Sequence, residues 1–284
     1  MTIACISAKL NPHTVKEQHL NTTTMKKTLL IAAAALAAGV ISSQAQGPVY
    51  SQNIVGYANL ACPQGGKSYA FTCQFTVGVS NGVNEVFGSA LPAGTKVLTW
   101  NGINDYNIAL YDNTDPNGDG SGPWFQNDDA TVLSPLPTLS AGKAFFLVPP
   151  SPLTNTFVGT IAVNPGTSNV MSLPVGGKSY FVSTVVPYAG AVTNGSALGG
   201  GPNLNGLSPG TKLLFWNGLN DYNIALYDNT DPNGDGSGPW FQNDDATLYV
   251  DAATGGNVPT ITVGQGFFIV PPSAYNWTNG LSAQ

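Results

Sequence analysis

The chain has 284 residues, nine basic residues against fifteen acids, and only 8 % charged residues in total, with thirty-four glycines and twenty-one prolines. Its length allows one or two domains with a real core. Its acidic balance argues against DNA, RNA or anionic lipid as partners, because each needs a basic face.

Residues 1–24 hold both histidines and one of the three cysteines and carry no structural pattern, so they read as an upstream extension from a misplaced start. A second beginning follows at Met25. Lys26 and Lys27 form a basic region, Leu29 to Ile41 a short apolar run, and Ser43 and Ala45 the small residues of a cleavage site. Residues 25–45 are therefore expected to be a secretory signal peptide, cut after Ala45. The apolar run is too short for a bilayer span. The processed chain is expected to be secreted, periplasmic or at the cell surface, and not membrane-spanning.

From Gln46 onward there is no histidine and no arginine; five lysines face Glu85 and thirteen aspartates, a net charge of −9. Two cysteines remain, Cys62 and Cys73. Cys73 shares a face with Tyr69, Phe71 and Phe75 in an alternating run, and export permits disulfides, so a cross-strand Cys62–Cys73 bridge is expected. The alternative is a pair of buried free thiols.

Two units follow, 46–155 and 156–284. Each opens with a strand-like segment, Asn53 to Leu60 or Thr156 to Val163. Each then has a GGKSY turn (Gly65 to Tyr69; Gly176 to Tyr180), a GTK-x-x-x-W strand ending at Trp100 or Trp216, and an FFLVPPS-type or FFIVPPS-type strand after Gly142 or Gly264. Tyr106, Ile108 and Leu110 alternate with Asn107, Ala109 and Tyr111, the period of a strand. Asn101-Gly102 and Asn217-Gly218 are hairpin-turn dipeptides. No long amphipathic helical pattern appears. The fold class expected is all-β: two tandem antiparallel sandwich-like or barrel-like units after the signal peptide. The segment after each PPS resembles the opening strand, so either it completes each sheet or the units share a boundary near Asn155.

Between these strands lies the stretch Trp100 to Thr131, repeated as Trp216 to Thr247 with one change, Ile103 to Leu219. Twelve of the fourteen acids after residue 45 lie in the two copies. Such crowding is repulsive unless something neutralises it, and few lysines are near in sequence. Asp115, Asn117 and Asp119, followed by Gly120, follow the D-x-N-x-D-G opening of a calcium loop, as do Asp231, Asn233, Asp235 and Gly236. The match to an EF-hand then ends, since Gln126 or Gln242 stands at position twelve and no helices flank the loop. A Ca²⁺ loop between strands is expected, with Asp112 or Asp128 and Asp129 completing the first shell, and Asp228 or Asp244 and Asp245 the second. The competing reading is a turn whose side chains cap backbone amides.

A second functional reading is polysaccharide binding. Tyr111, Trp124, Tyr227 and Trp240 recur beside Asn and Asp, and sugars are held by aromatic platforms with planar polar groups. Enzyme readings are poor: there is no histidine for a hydrolytic triad or zinc site, no arginine clamp and no phosphate-binding loop.

The order V-G, GGKSY, G-T-K-V-x-x-W-N-G, A-G-K-x-F-F-L-V-P-P and T-F-V-G, behind the opening Val49 to Tyr57 (VYSQNIVGY), resembles the uncharacterised secreted β-repeat proteins common in Verrucomicrobia. The resemblance covers nearly all of the processed chain and implies no activity. The Asp-rich insert looks peculiar to this member. The resulting expectation is an exported, non-enzymatic structural or adhesive protein with one calcium loop per unit, its partner a polysaccharide or another cell-surface protein.

Overall fold

The computed structural model describes residues 55–89, 91–114, 122–127, 131–163, 168–195, 201–230, 238–243 and 247–280. The extension 1–24 and the signal segment 25–45 lie outside them.

The protein is almost entirely antiparallel β. In the first half, β1 (Val55–Cys62), β2 (Tyr69–Thr72) and β3 (Phe75–Thr76) precede the short helix α1 (Val83–Phe87). There follow β4 (Thr95–Trp100), β5 (Tyr106–Tyr111), β6 (Trp124–Gln126), β7 (Ala144–Val148) and β8 (Leu153–Ile161). They form a five-stranded sheet in the order β2-β7-β4-β5-β6 and a smaller one in the order β1-β8-β3. The second half contains β9 (Ser168–Leu173), β10 (Tyr180–Val182), β11 (Gly190–Ala191), β12 (Thr211–Trp216) and β13 (Tyr222–Tyr227). After these come β14 (Trp240–Gln242), β15 (Thr260–Ile261), β16 (Phe267–Val270) and β17 (Tyr275–Gly280). Its five-stranded sheet runs β10-β16-β12-β13-β14, alongside the pairs β17-β9 and β11-β15.

Alternation decides which face each strand buries. On β4, Thr95 and Val97 point into the first-half core; Lys96, Leu98 and Trp100 point the other way. Val97, Tyr111, Trp124, Phe145 and Leu147 meet Leu60 and Phe157 from the β1–β8 ribbon and Val83, Val86 and Phe87 from α1. In the second half Leu213, Tyr227, Trp240, Phe267 and Ile269 meet Leu173 and Trp277 from the β9–β17 ribbon. Each such side chain contributes about 2–3 kcal/mol of transfer free energy.

β7 and β16 are apolar on both faces, and the reason is a second buried layer. The outer face of one five-stranded sheet packs on the outer face of the other through Phe146, Phe181 and Phe268. Phe181 stacks on Phe268 at 4.4 Å, and Trp100 meets Phe268 edge-on at 5.3 Å as Trp216 meets Phe146 at 5.6 Å. The polar contacts are reciprocal. Trp100 Nε1 donates to Ser179 O at 2.9 Å, and Trp216 Nε1 to Ser68 O at 2.8 Å. Likewise Thr72 N donates to Gly264 O at 2.9 Å and Ser183 N to Gly142 O at 3.0 Å. The seam between halves therefore has an approximate two-fold character, and the described residues form one compact unit.

The boundary expected between residues 155 and 156 falls inside β8, which pairs with β1 from Cys62↔Leu153 to Val55↔Thr160. β17 pairs with β9 in the same way. In both halves the last strand returns to the first.

The GGKSY and PPS segments also explain each other. Gly66 N donates to Pro149 O at 2.7 Å, and Gly177 N to Pro271 O at 2.7 Å. A Cβ on Gly65 or Gly176 would stand 2.3 Å from the following proline's carbonyl oxygen, so only glycine admits this approach. The Asn101-Gly102 hairpin is longer than its dipeptide suggests. Five residues, 101–105, connect Trp100 to Tyr106, and Asn101 Oδ1 accepts from the amides of Ile103, Asn104 and Asp105.

Candidate functional site: the supports of the two acidic loops

β5 and β6 carry the first loop. Tyr111 pairs with Trp124, and Asp112 N donates to Pro123 O at 2.8 Å. Asp112 Oδ1 accepts from Thr114 Oγ1 at 2.6 Å and Thr114 N at 2.8 Å, which hold its carboxyl below the usual carboxylate range. Gly122, at φ +116, is followed by a cis Gly122–Pro123 bond and lies over Phe125, whose ring would be 3.0 Å from any Cβ there.

The second support repeats this chemistry. Asp228 Oδ1 accepts from Thr230 Oγ1 at 2.6 Å and Thr230 N at 2.9 Å, again lowering the carboxyl pKa. Asp228 N donates to Pro239 O at 2.8 Å, and Gly238 stands at φ +118 over Phe241.

Of the expected calcium ligands, only Asp112 and Asp228 lie among the described residues. Asp115, Asn117, Asp119, Asp128 and Asp129, with Asp231, Asn233, Asp235, Asp244 and Asp245, lie outside them. The described ends of the two carboxylate-bearing segments are not adjacent. Asp112 stands at the Trp124 end of β6, whereas the segment containing Asp128 and Asp129 follows Gln126 at its other end, where Gln126 N donates to Thr131 O at 2.7 Å. Among the described residues no group of three or more His, Cys, Asp or Glu side chains is placed to hold a metal.

A lysine remote in sequence does come close. Lys96 Nζ donates to Asn127 Oδ1 at 3.2 Å, and Lys212 Nζ to Asn243 Oδ1 at 3.1 Å. Each ammonium is thus held one residue from a pair of aspartates. Proximity along the chain had shown no such lysine, because Lys96 and Asn127 lie thirty-one positions apart.

The aromatic platform expected for sugar is corrected. Tyr111, Trp124 and Trp240 are 1 % exposed and Tyr227 is 8 % exposed. Trp124 follows Ser-Gly-Pro, which reads as a loop, but it is the inward residue of a three-residue strand. It packs edge-on to Tyr111 at 5.1 Å, and its Nε1 donates to Asn84 Oδ1 on α1. Rings filling a core have no face to offer a polysaccharide.

The expected disulfide is corrected as well: Cys62 and Cys73 are free thiols, both fully buried. Alternation placed Cys73 on the face of Tyr69, Phe71 and Phe75, but the partner of β1 is β8, and Cys62 stands opposite Leu153 rather than opposite β2. Burial pushes the Cys62 thiol up to about 12 and raises Cys73 as well, against a contact from its Sγ to Phe75 O at 3.4 Å.

Two carboxylates outside the repeated stretch have structural roles. Glu85 accepts from the amides of Val79 at 2.8 Å, Ser80 at 2.9 Å and Gly82 at 3.0 Å, and these bonds pull it down to about 2. Asp251 is buried, which works to raise it. Hydrogen bonds from Thr260 and Thr254 outweigh the burial and leave it below its ordinary value. The Asp251-x-x-Thr254 spacing is the local signal that could have identified this turn.

No helix among the described residues is long and apolar enough to cross a membrane. No family model matches the chain, and neither does any curated protein or solved structure.

Proposed function

We propose that this is an exported, non-enzymatic structural or adhesive protein that presents two acidic calcium-binding loops on one β-scaffold. The observation that carries the reading is the chemical identity of the two supports. Asp112 with Thr114 and Gly122 over Phe125 recur as Asp228 with Thr230 and Gly238 over Phe241, with matching distances and dihedral angles. Elsewhere the halves diverge, down to a helix in one and none at the corresponding place in the other among the described residues. A frame retained at both sites while its surroundings change supports a shared task for the loops it carries.

Calcium suits those loops because it accepts six to eight oxygen ligands, carboxylates among them, in an adaptable coordination geometry. Lys96 and Lys212 offset part of the repulsion when the metal is absent, so the protein folds without it and gains stability on loading. Purified, chelator-washed protein titrated with calcium in a calorimeter should take up two ions per chain, and its melting temperature should rise from EDTA to about millimolar calcium by mass action. No heat and no shift would remove the metal from the proposal.

A further inference from the structure

A cleft of about 340 Å³ opens along the seam between the halves, lined by Trp100, Asn101, Thr138 and Lys143 from the first half and Tyr180 and Phe181 from the second. We infer that this cleft binds one acidic sugar residue, a uronate, with Lys143 pairing its carboxylate and the Trp100 and Tyr180 rings bracketing its C–H face. The site is separate from the acidic loops and does not depend on their holding calcium.

The chemistry of the lining selects the ligand. Lys143 is exposed and is the cleft's single charged residue. Trp100 Nε1 is committed to Ser179 O at 2.9 Å, and the Tyr180 hydroxyl to Val175 N and O at 2.8 and 3.0 Å. Both side chains are half-buried, Trp100 against Tyr106 and Phe268, and only the ring surface left over lines the cleft. Asn101 Oδ1 is taken by three amides at 2.8, 3.1 and 3.2 Å, leaving its Nδ2 as a donor. The cleft thus offers a cation, an amide donor, a threonine hydroxyl and aromatic walls. That set fits a carboxylate attached to a hydroxylated ring. A phosphate would call for more positive charge than one lysine, or for the guanidinium fork that this chain lacks. Small-ligand sites begin at about 300 Å³ and favour junctions between packed bodies, as here.

The approximate two-fold axis provides an internal comparison. Under it Trp100, Asn101, Thr138 and Tyr180 correspond to Trp216, Asn217, Thr260 and Tyr69, which keep the same residue types. Lys143 corresponds to Gln265, and Phe181 to Ala70. The cation and one apolar wall are therefore peculiar to one side of the seam, so one ligand binds per chain.

The test is a calorimetric titration of the purified protein with galacturonate and with a short oligogalacturonide, alongside uncharged galactose. One uronate site per chain is expected, with no measurable galactose uptake. Tighter binding of the oligomer would identify a polysaccharide source, and equal binding a free sugar. Lys143→Gln, which installs the second half's residue, should weaken uronate binding at least about tenfold, a change of 1.4 kcal/mol, without moving the melting temperature. Lys67→Gln should leave binding unchanged. Absence of uronate binding, equal uptake of galactose, or equal losses in the two lysine variants would overturn the inference.

Discussion

The hydroxyls of Tyr106 and Tyr222 act on each other across the seam, each ring standing edge-on to the tryptophan of its own sheet at 5.1 and 5.0 Å. Each hydroxyl shifts the other's ionisation in a surrounding of phenyl and indole rings. Removing one leaves the other without its partner, which costs about 1–3 kcal/mol, whereas removing both is close to neutral. Tyr106→Phe and Tyr222→Phe should each destabilise, and the double variant should recover most of the loss. Urea unfolding of the four proteins in a double-mutant cycle measures the coupling; additive losses would show that the pair contributes nothing as a pair.

The same burial predicts an alkaline transition. Tyr106, Tyr222 and Tyr275 are raised and Tyr249 is pushed up to about 12, burial being the first cause in each. Unfolded tyrosines ionise near 10, so above that pH the folded state holds more protons than the unfolded state. The stability these groups contribute is complete below about 10 and is lost as pH rises towards their folded values. Phenolate absorbance from this set should therefore appear together with loss of near-ultraviolet circular dichroism. A phenolate step completed well before unfolding would contradict the burial.

At the acid end the sign reverses. Glu85 titrates near 2 folded against an ordinary 4.5, held first by the Val79 amide and then by those of Ser80 and Gly82. Its contribution is present above 4.5 and disappears as pH falls through 2. Glu85→Gln should lower the melting temperature at neutral pH, and the gap to the parent protein should close between about pH 4.5 and 2. A gap independent of pH would mean that the carboxylate charge is not what holds the loop.

Legibility in the sequence followed the range of the interaction. Alternation at Tyr106 to Tyr111 marked β5, whereas burial on both faces of β7 was not drawn from the sequence although Ala144 to Val148 is apolar at every position. What covered the outer face was not readable, because Trp100 meets Ser179 seventy-nine residues away and no periodicity encodes that distance. Trp124 misled for a related reason. Ser-Gly-Pro before it is a true turn signal, but Tyr111 on β5 and Asn84 on α1 set the environment of the indole. For the cysteines, the face of Cys73 was legible and the strand partner of Cys62 was not.

Those thiols give a direct chemical readout. Cys62, pushed up to about 12, and Cys73 are buried among core residues, and only thiolates react readily. A thiol reagent should label neither cysteine in the native protein at neutral pH and both in denaturant. No labelling in denaturant without reductant would reveal the cross-strand bond that the structure does not contain.

The last prediction uses the two halves as controls for each other. Trp124 and Trp240 occupy corresponding positions, are equally buried, and face Tyr111 and Tyr227 at the same 5.1 Å and 67°. Their indole nitrogens differ: Trp124 Nε1 has Asn84 Oδ1 as acceptor, whereas Trp240 Nε1 is buried with no partner among the described residues. Phenylalanine removes the N–H and a similar volume at both sites, so the cavity cost is shared and cancels in the comparison. At 124 the substitution breaks a satisfied hydrogen bond; at 240 it removes a donor that was already desolvated without return. Trp240→Phe should therefore cost about 1–2 kcal/mol less than Trp124→Phe, read from urea unfolding midpoints at constant slope. Adding Asn84→Ala should bring Trp124→Phe no further down, because its acceptor has then lost its only role at that site. Equal losses at 124 and 240 would mean that the second half supplies an acceptor for Trp240.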